Sequence, residues 1–414
     1  MRRFSRLAPA LILVMPLAYM VIQRMAIKAA EQPSERETLA VVDATEAFLN
    51  SLNADQRQSV RFSFTPQKSG VIAPFHRTSD GGVAPGAPVG GQERPSGDGK
   101  NRPLNVPGHE PGRAPGGGFG MGPPGGFIGE QYGQAVWSNY PVSDVLRPGL
   151  RLGTLTASQR AAAMHLLQTV LSPVGYQKVL DIMGSDQALA DAGTNFASGE
   201  AMYTIAIFGE PSAAKPWMLE FGGHHLGLNI VFDGSNGVMT PTLTGAQPSV
   251  YKRGDKTVRV LAQENDTAFA LLDALNDAQK QQAVLNYQVN DLVLGPGQAG
   301  KQIAPEGLKA SSMTDKQKAM LVNVISQWVG IVNDSYAKTR MVEIEANLNQ
   351  TYFAWSGPAT HEPGKNGSSY YRIQGPRLVI EFSPQGVGGD PTMHVHTIYR
   401  DPTNDYGVKL TGAQ

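Results

Sequence analysis

Apolar residues recur along this chain with a helical period, then with a period of two, then with both again. Residues 35–50 read as a first helix, with Leu39, Val42, Ala47 and Phe48 among its apolar positions, and Arg61-Phe62-Ser63-Phe64 reads as a short strand. Thr156 to Leu171 carries the clearest helix, with Ala163, Leu166, Leu167, Val170 and Leu171 at i, i+3, i+4, i+7 and i+8. Ser172-Pro173 stops it and starts another, with Ser as N-cap and Pro at the first helical position. Tyr176, Val179, Leu180 and Met183 continue that second helix on one face. Between residues 202 and 262 the period drops to two. Tyr203 to Phe208, Trp217 to Phe221 and His224 to Phe232 read as successive strands, with a turn at Asp233-Gly234-Ser235-Asn236-Gly237. Helices are expected near 266–275 and 277–286, then one long helix from Thr314 to about Glu345. The chain closes on strands over Tyr352–Trp355, Tyr370–Gln374, Arg377–Phe382 and His394–Arg400. Helices and strands are segregated rather than alternating, which predicts an α+β fold with antiparallel sheet flanked by helices.

A short pattern recurs four times at irregular spacing: Asn53-Ala54-Asp55-Gln56, Thr156-Ala157-Ser158-Gln159, Asn276-Asp277-Ala278-Gln279 and Thr314-Asp315-Lys316-Gln317. Each has a capping side chain three residues before Gln and an apolar residue ahead of it. These are capping boxes, hence helix starts. Their uneven spacing argues against a solenoid.

Composition changes the picture in two places. From Gly81 to Gly126, 25 of 46 residues are Gly or Pro. Such a segment cannot bury enough apolar surface to offset its ordering entropy, so it reads as a disordered insertion. At the N-terminus, the basic run Met1 to Arg6 precedes an apolar run from Leu7 to Ile22, the pattern of an export signal. Pro9 and Pro16 interrupt that run, and it is short for a spanning helix. The expected organisation is therefore 1–30 signal peptide or uncleaved anchor, 31–80 first part of the globular domain, 81–126 insertion, and 127–414 main α+β domain. Location follows: periplasmic or secreted, touching a membrane only through an uncleaved N-terminus.

Charge and cysteine content then exclude some chemistry. Basic and acidic residues are both 35, and no basic block suggests nucleic acid. No cysteine is present, which leaves His and carboxylates as the metal-ligating side chains.

Several ordered stretches carry a family resemblance. They are Arg147-Pro148-Gly149-Leu150 with Leu155 to Arg160, Leu171 to Tyr176, Gly223 to Asn229 with Thr240 to Ala246, Phe353 to Pro358, Tyr371 to Arg377, and His394 through Gly407. Together they resemble the domain-of-unknown-function family numbered 3500, over most of residues 35–410. The Gly/Pro-rich insertion departs from that pattern. The resemblance implies a fold-level grouping and brings no activity with it.

Candidate chemistry gathers on histidine. Four of the eight histidines stand in Gly222-Gly223-His224-His225-Leu226-Gly227 and Met393-His394-Val395-His396. Strand alternation puts His394 and His396 on one face. His225 is expected on the open, polar face of its strand, and His224 in the core. Glu381, on the strand before His394, supplies a carboxylate; His225, His394, His396 and Glu381 form a candidate set for zinc or iron. Asn229 and Arg400 are candidate substrate contacts, Arg400 because its planar fork suits carboxylate or phosphate. Gly295 to Lys301 matches G-x-x-x-x-G-K but is followed by Gln302, where a phosphate loop needs Ser or Thr. Two functions remain: an exported metal-dependent enzyme, hydrolytic or oxygen-using, acting on a small molecule; or a non-catalytic envelope binding protein whose histidines order the sheet.

Overall fold

The computed structural model describes residues 35–73, 129–194, 199–386 and 389–412. The expected export segment and the whole of the Gly/Pro-rich insertion at 81–126 lie outside them. The first helices are α1 (Glu35–Ser51) and α2 (Ala54–Val60), followed by strand β1 (Arg61–Phe62). A small sheet then forms from β2 (Val71–Ile72), β3 (Glu130–Tyr132) and β4 (Ala135–Trp137). After β5 (Leu150–Arg151) come α3 (Ala157–Val170) and α4 (Pro173–Asp191), then β6 (Thr204–Phe208), β7 (Trp217–Gly223), β8 (Leu226–Asp233), β9 (Asn236–Val238) and β10 (Thr242–Ala246). The hairpin β11 (Val250–Arg253) and β12 (Lys256–Arg259) leads into α5 (Ala262–Asp273) and α6 (Asp277–Ala283). Next are β13 (Leu308–Lys309), α7 (Asp315–Val329), α8 (Asp334–Ala346), β14 (Tyr352–Ser356), β15 (Tyr370–Gly375), β16 (Leu378–Pro384), β17 (Val395–Arg400) and α9 (Val408–Thr411).

The architecture is α+β, and it is built twice. In the large sheet, β5-β6-β7-β8-β10 mirrors β13-β14-β15-β16-β17, each neighbouring pair antiparallel, and β10 joins β17 antiparallel at the centre. Each half also repeats the two helices before and after its first strand. The parallel contact of Arg61 with Ile207 recurs as a parallel bridge between Val284 and Trp355. Gly149 and Gly307 precede β5 and β13 at φ +91° and +94°, and a Cβ at either would collide with the carbonyl of Ile205 or Phe353. Both positions demand glycine.

The four capping boxes are all formed, and they explain the repeat physically. Gln56 and Gln159 exchange amide hydrogen bonds at 3.2 and 2.8 Å, and Gln279 and Gln317 do so at 3.0 and 2.8 Å. Each box thus caps its own helix and pins it to the corresponding helix of the same half.

The expected single helix from Thr314 to Glu345 is instead two. Gly330 ends α7, and Asn333 starts α8 by accepting the amide N–H of Ser335 at 3.0 Å. Ile331 and Val332 stay buried across this break, which is why the apolar pattern continued through it. One face of the large sheet packs on the helices through residues such as Ile205, Leu228, Trp328 and Phe353. The other face carries Trp137, Leu243, Leu294, Ile398 and Tyr406, covered by irregular chain rather than helix. Among the described residues no helix is long and apolar enough to cross a membrane.

Candidate metal centre

His224 and His225 do not lie within a strand, as the alternating pattern suggested. They form the two-residue turn between β7 and β8, with Gly223 paired to Leu226 across it. His225 takes φ +60°, a left-handed conformation that costs a residue with a Cβ roughly 1–2 kcal/mol. The turn lacks the Asn-Gly or Asp-Gly chemistry that usually marks such hairpins, so local propensity hid it. Rather than pointing apart, the two imidazoles stack with centroids 3.8 Å apart.

His224 anchors the turn on the helix side of the sheet. Its Nδ1 lies 2.7 Å from Oδ1 of Asp186 on α4, both side chains buried, and its carbonyl accepts the Tyr203 hydroxyl at 2.7 Å. His225 fits where Gly245 of β10 makes room. A Cβ on Gly245 would lie 2.7 Å from the Val395 carbonyl and 3.2 Å from the His225 Cβ. Gly245 is also the residue paired with His396, so the space opposite that histidine is left for His225.

His394 is extended at φ −139°, immediately before β17, so alternation does place it beside His396. Nε2 of His394 lies 2.9 Å from Nε2 of His396 and 3.1 Å from Nε2 of His225. The ligand atoms of all three fall within 4.8 Å of one another, and all three residues are buried. An imidazole nitrogen bears either one hydrogen or one lone pair. Nε2 of His394 can therefore make one good hydrogen bond while facing two neighbours. Two nitrogens bound 2.0–2.1 Å from one ion stand roughly 2.9 Å apart at a right angle and roughly 3.4 Å apart at the tetrahedral angle. The two spacings from His394 fall within this range, and the three residues together could hold a metal ion.

The electrostatics keep His225 ready to act as a ligand. Burial first, and then His224, His394 and His396, hold its pKa well below the ordinary imidazole value, so it is neutral at physiological pH. Its Nδ1 is buried without a hydrogen-bond partner. Around His396, the Asn139 amide nitrogen lies 3.0 and 3.2 Å from the two ring nitrogens, and Asp291 Oδ1 lies 3.9 Å from Nδ1. That carboxylate oxygen accepts from the Leu292 N–H at 2.7 Å and from Gln385 at 3.0 Å, while the Gln385 N–H donates to the His394 carbonyl at 2.7 Å. Gln385 thus ties the carboxylate to the backbone of a candidate ligand. Tyr140 stands nearby with its pKa pushed up to about 12 by burial, Asp291 and Asp144.

Arg147 holds this rim in place. Its buried guanidinium donates to the carbonyls of Val145, of Ser138 and Tyr140 at 2.7 Å each, and of Gly223 at 3.3 Å. It therefore ties residues 138–145 to the hairpin that bears His225. Burial lowers its pKa to about 10, still leaving it charged at neutral pH.

The other sequence-predicted residues are elsewhere. The register sets His396 opposite Ser383, not Glu381. The Glu381 carboxylate is fully buried and accepts backbone N–H groups of Val293 at 2.7 Å and Leu294 at 3.2 Å, with its pKa raised to about 7 by burial. Asn229 is buried against the Pro241 carbonyl at 3.0 Å. Arg400 is enclosed by Glu130 at 3.0 Å, Asp405 at 2.7 Å and the carbonyls of Leu294 and Gly295, over the Trp137 ring. Gly295 to Lys301 likewise serves structure, with the Gly297 N–H on Glu130 at 3.1 Å. Alternation gave the correct face for these side chains but not the chain that covers it. Asn139, Asp186, Arg147, Asp291 and Gln385 were missed. Asp186 alone carried a signal, since it continues the inward helical face of Val179 and Met183 and a carboxylate there needs a partner.

The duplicated half offers a comparison within the molecule. The hairpin Gly375-Pro376-Arg377-Leu378 occupies the place of Gly223-His224-His225-Leu226. There Arg377 pairs with Glu343 at 3.0 Å and Asp401 at 3.1 Å, and Arg340 joins both carboxylates at 2.8 and 3.1 Å. One turn is locked by salt bridges; the other presents converging imidazoles.

The family model described as "Protein of unknown function (DUF3500)" matches residues 129–408, a span that includes all three converging histidines, and the chain belongs to this family. No curated protein and no solved structure matches it.

Proposed function

We propose that this DUF3500 protein is a metal-dependent enzyme that holds one divalent transition ion on His225, His394 and His396. The observation that carries the reading is the convergence of three Nε2 atoms at 2.9 and 3.1 Å, more than hydrogen bonding among the rings can satisfy. The surrounding charge favours a cation. Asp291 stands beside His396, Asp390 lines the same groove as His394, and Asp186 supports the turn, while Arg147 is committed to carbonyls. Three imidazoles without thiolate suit zinc or iron(II) and would leave coordination positions for water and substrate. A hydrolytic role fits the site best, because a bound ion would acidify water and the Asp291 carboxylate beside His396 would be the group to take up its proton. Glu381 is not part of this proposed set.

The N-terminal pattern supports an exported location for this chemistry. Elemental analysis of protein purified without added metal is the first test. About one equivalent of zinc or iron, lost on replacing both His394 and His396 by Ala, supports the reading; a metal-free protein that takes up no added zinc, iron(II) or cobalt(II) contradicts it.

A further inference from the structure

We infer that the groove beside His394 is the subsite for a short alkyl group on an uncharged substrate whose donor atom reaches the ion. This rests on the metal reading above. Ala188, Leu189 and Ala192 at the end of α4 line the groove with Pro248 and Met393, and His394 lines it too. Apart from His394 the lining is mainly apolar, so it rewards a hydrocarbon group rather than a polar chain. Its carboxylate is Asp390, and among the described residues no Lys or Arg lines it. An anionic substituent would meet like charge there and find no guanidinium or ammonium to pair with. Because His394 of the converging set lines the groove, a ligand seated in it would lie beside the proposed ion rather than at a distant surface. The lack of Arg and Lys among the described lining residues separates this groove from anion-binding sites, which bring one of them to the ligand.

The test uses the full chain loaded with cobalt(II) and a series of neutral 4-alkylpyrazoles, followed by the visible spectrum of the ion. Affinity is expected to rise about fourfold per methylene over the first two or three carbons. In Ala192→Glu, an exposed position on the groove, the rise with chain length should vanish. A pyrazole bearing a terminal carboxylate on the same chain should bind about tenfold more weakly than its alkyl counterpart. Flat affinities across the alkyl series in the wild-type protein would overturn the subsite, as would a rise that persists in Ala192→Glu. If cobalt(II) does not bind the wild-type chain at all, the metal reading itself falls and this inference with it. If it binds but chain length has no effect, the subsite alone is wrong.

Discussion

His224 and His225 are adjacent, equally buried and stacked on each other, yet their replacement should produce opposite phenotypes. The His224 side chain is half of a buried pair: it is 3% exposed, Asp186 is 1% exposed, and they meet at 2.7 Å. The other oxygen of Asp186 is buried without a hydrogen-bond partner. Removing the imidazole therefore strands a carboxylate with nothing to compensate it. Breaking one side of such a pair costs about 3–5 kcal/mol. Asp186→Asn, which keeps the shape and one hydrogen bond, should cost less, about 1–3 kcal/mol. His225 gives up far less. Its Nδ1 makes no hydrogen bond, and its φ of +60° suits glycine, so His225→Gly exchanges lost ring packing for relief of about 1–2 kcal/mol of backbone strain. Denaturant unfolding of the metal-free proteins should show a large loss for His224→Ala and a change within about 1 kcal/mol for His225→Gly. Isothermal titration with zinc should show the reverse: near-wild-type stoichiometry for His224→Ala under conditions where it is folded, and a severe loss for His225→Gly. Equal destabilisation of the two variants, or a folded His224→Ala that binds no zinc while His225→Gly binds normally, would refute this division of roles.

Three further outcomes are expected. Asp291→Asn should weaken zinc binding about 10- to 100-fold through its effect on His396, with stability changed by less than about 0.5 kcal/mol because the side chain is 43% exposed; unchanged zinc affinity by competition with a chelator would remove Asp291 from the site. Stability should fall as pH rises from 6.5 to 8. Burial raises the Glu220 and Glu381 carboxyls to about 8 and about 7, so in this window the folded chain holds protons that the unfolded chain has already lost. Below pH 6.5 the depressed pKa of His225 acts in the opposite sense, its stabilisation being lost as pH falls. A Glu220→Gln/Glu381→Gln double variant should lose the slope between pH 6.5 and 8, as unfolding midpoints at several pH values would show; an unaltered slope would contradict it. Replacing residues 81–126 by a short linker should leave stability within about 1 kcal/mol, since loop closure depends weakly on length and the flanks are joined by the Ala73 N–H on the Gly129 carbonyl at 3.0 Å. A large drop in unfolding midpoint would show that the segment contributes to the fold.

Much of this organisation is visible in the chain because local chemistry and tertiary structure agree. The four capping boxes announce four helix starts, and α3 and α4 follow their apolar periods and the Ser172-Pro173 boundary. The same boxes also held the internal duplication, but residues between them vary in number, so the two halves do not repeat at a fixed period. Face alternation brought His394 and His396 together, as their adjacent positions before and within β17 require. The His225 turn was hidden because its conformation is imposed by the pairing of β7 with β8 rather than by turn-forming residues. Glu381, Asn229 and Arg400 share the face read from alternation but are capped by chain segments remote in sequence, around Val293, Pro241 and Glu130. Alternation encodes a direction; it does not encode what covers a position. Asp291 and Asn139 reach the histidines from irregular segments, where no period marks them at all.

If three imidazoles share one ion, X-ray absorption at the zinc edge of protein loaded with one equivalent should see it. The spectrum should show three imidazole nitrogens at about 2.0–2.1 Å from zinc, completed by water oxygen. That imidazole scattering should diminish in His225→Gly. A shell of oxygen alone, or a wild-type spectrum unchanged by His225→Gly, would contradict it.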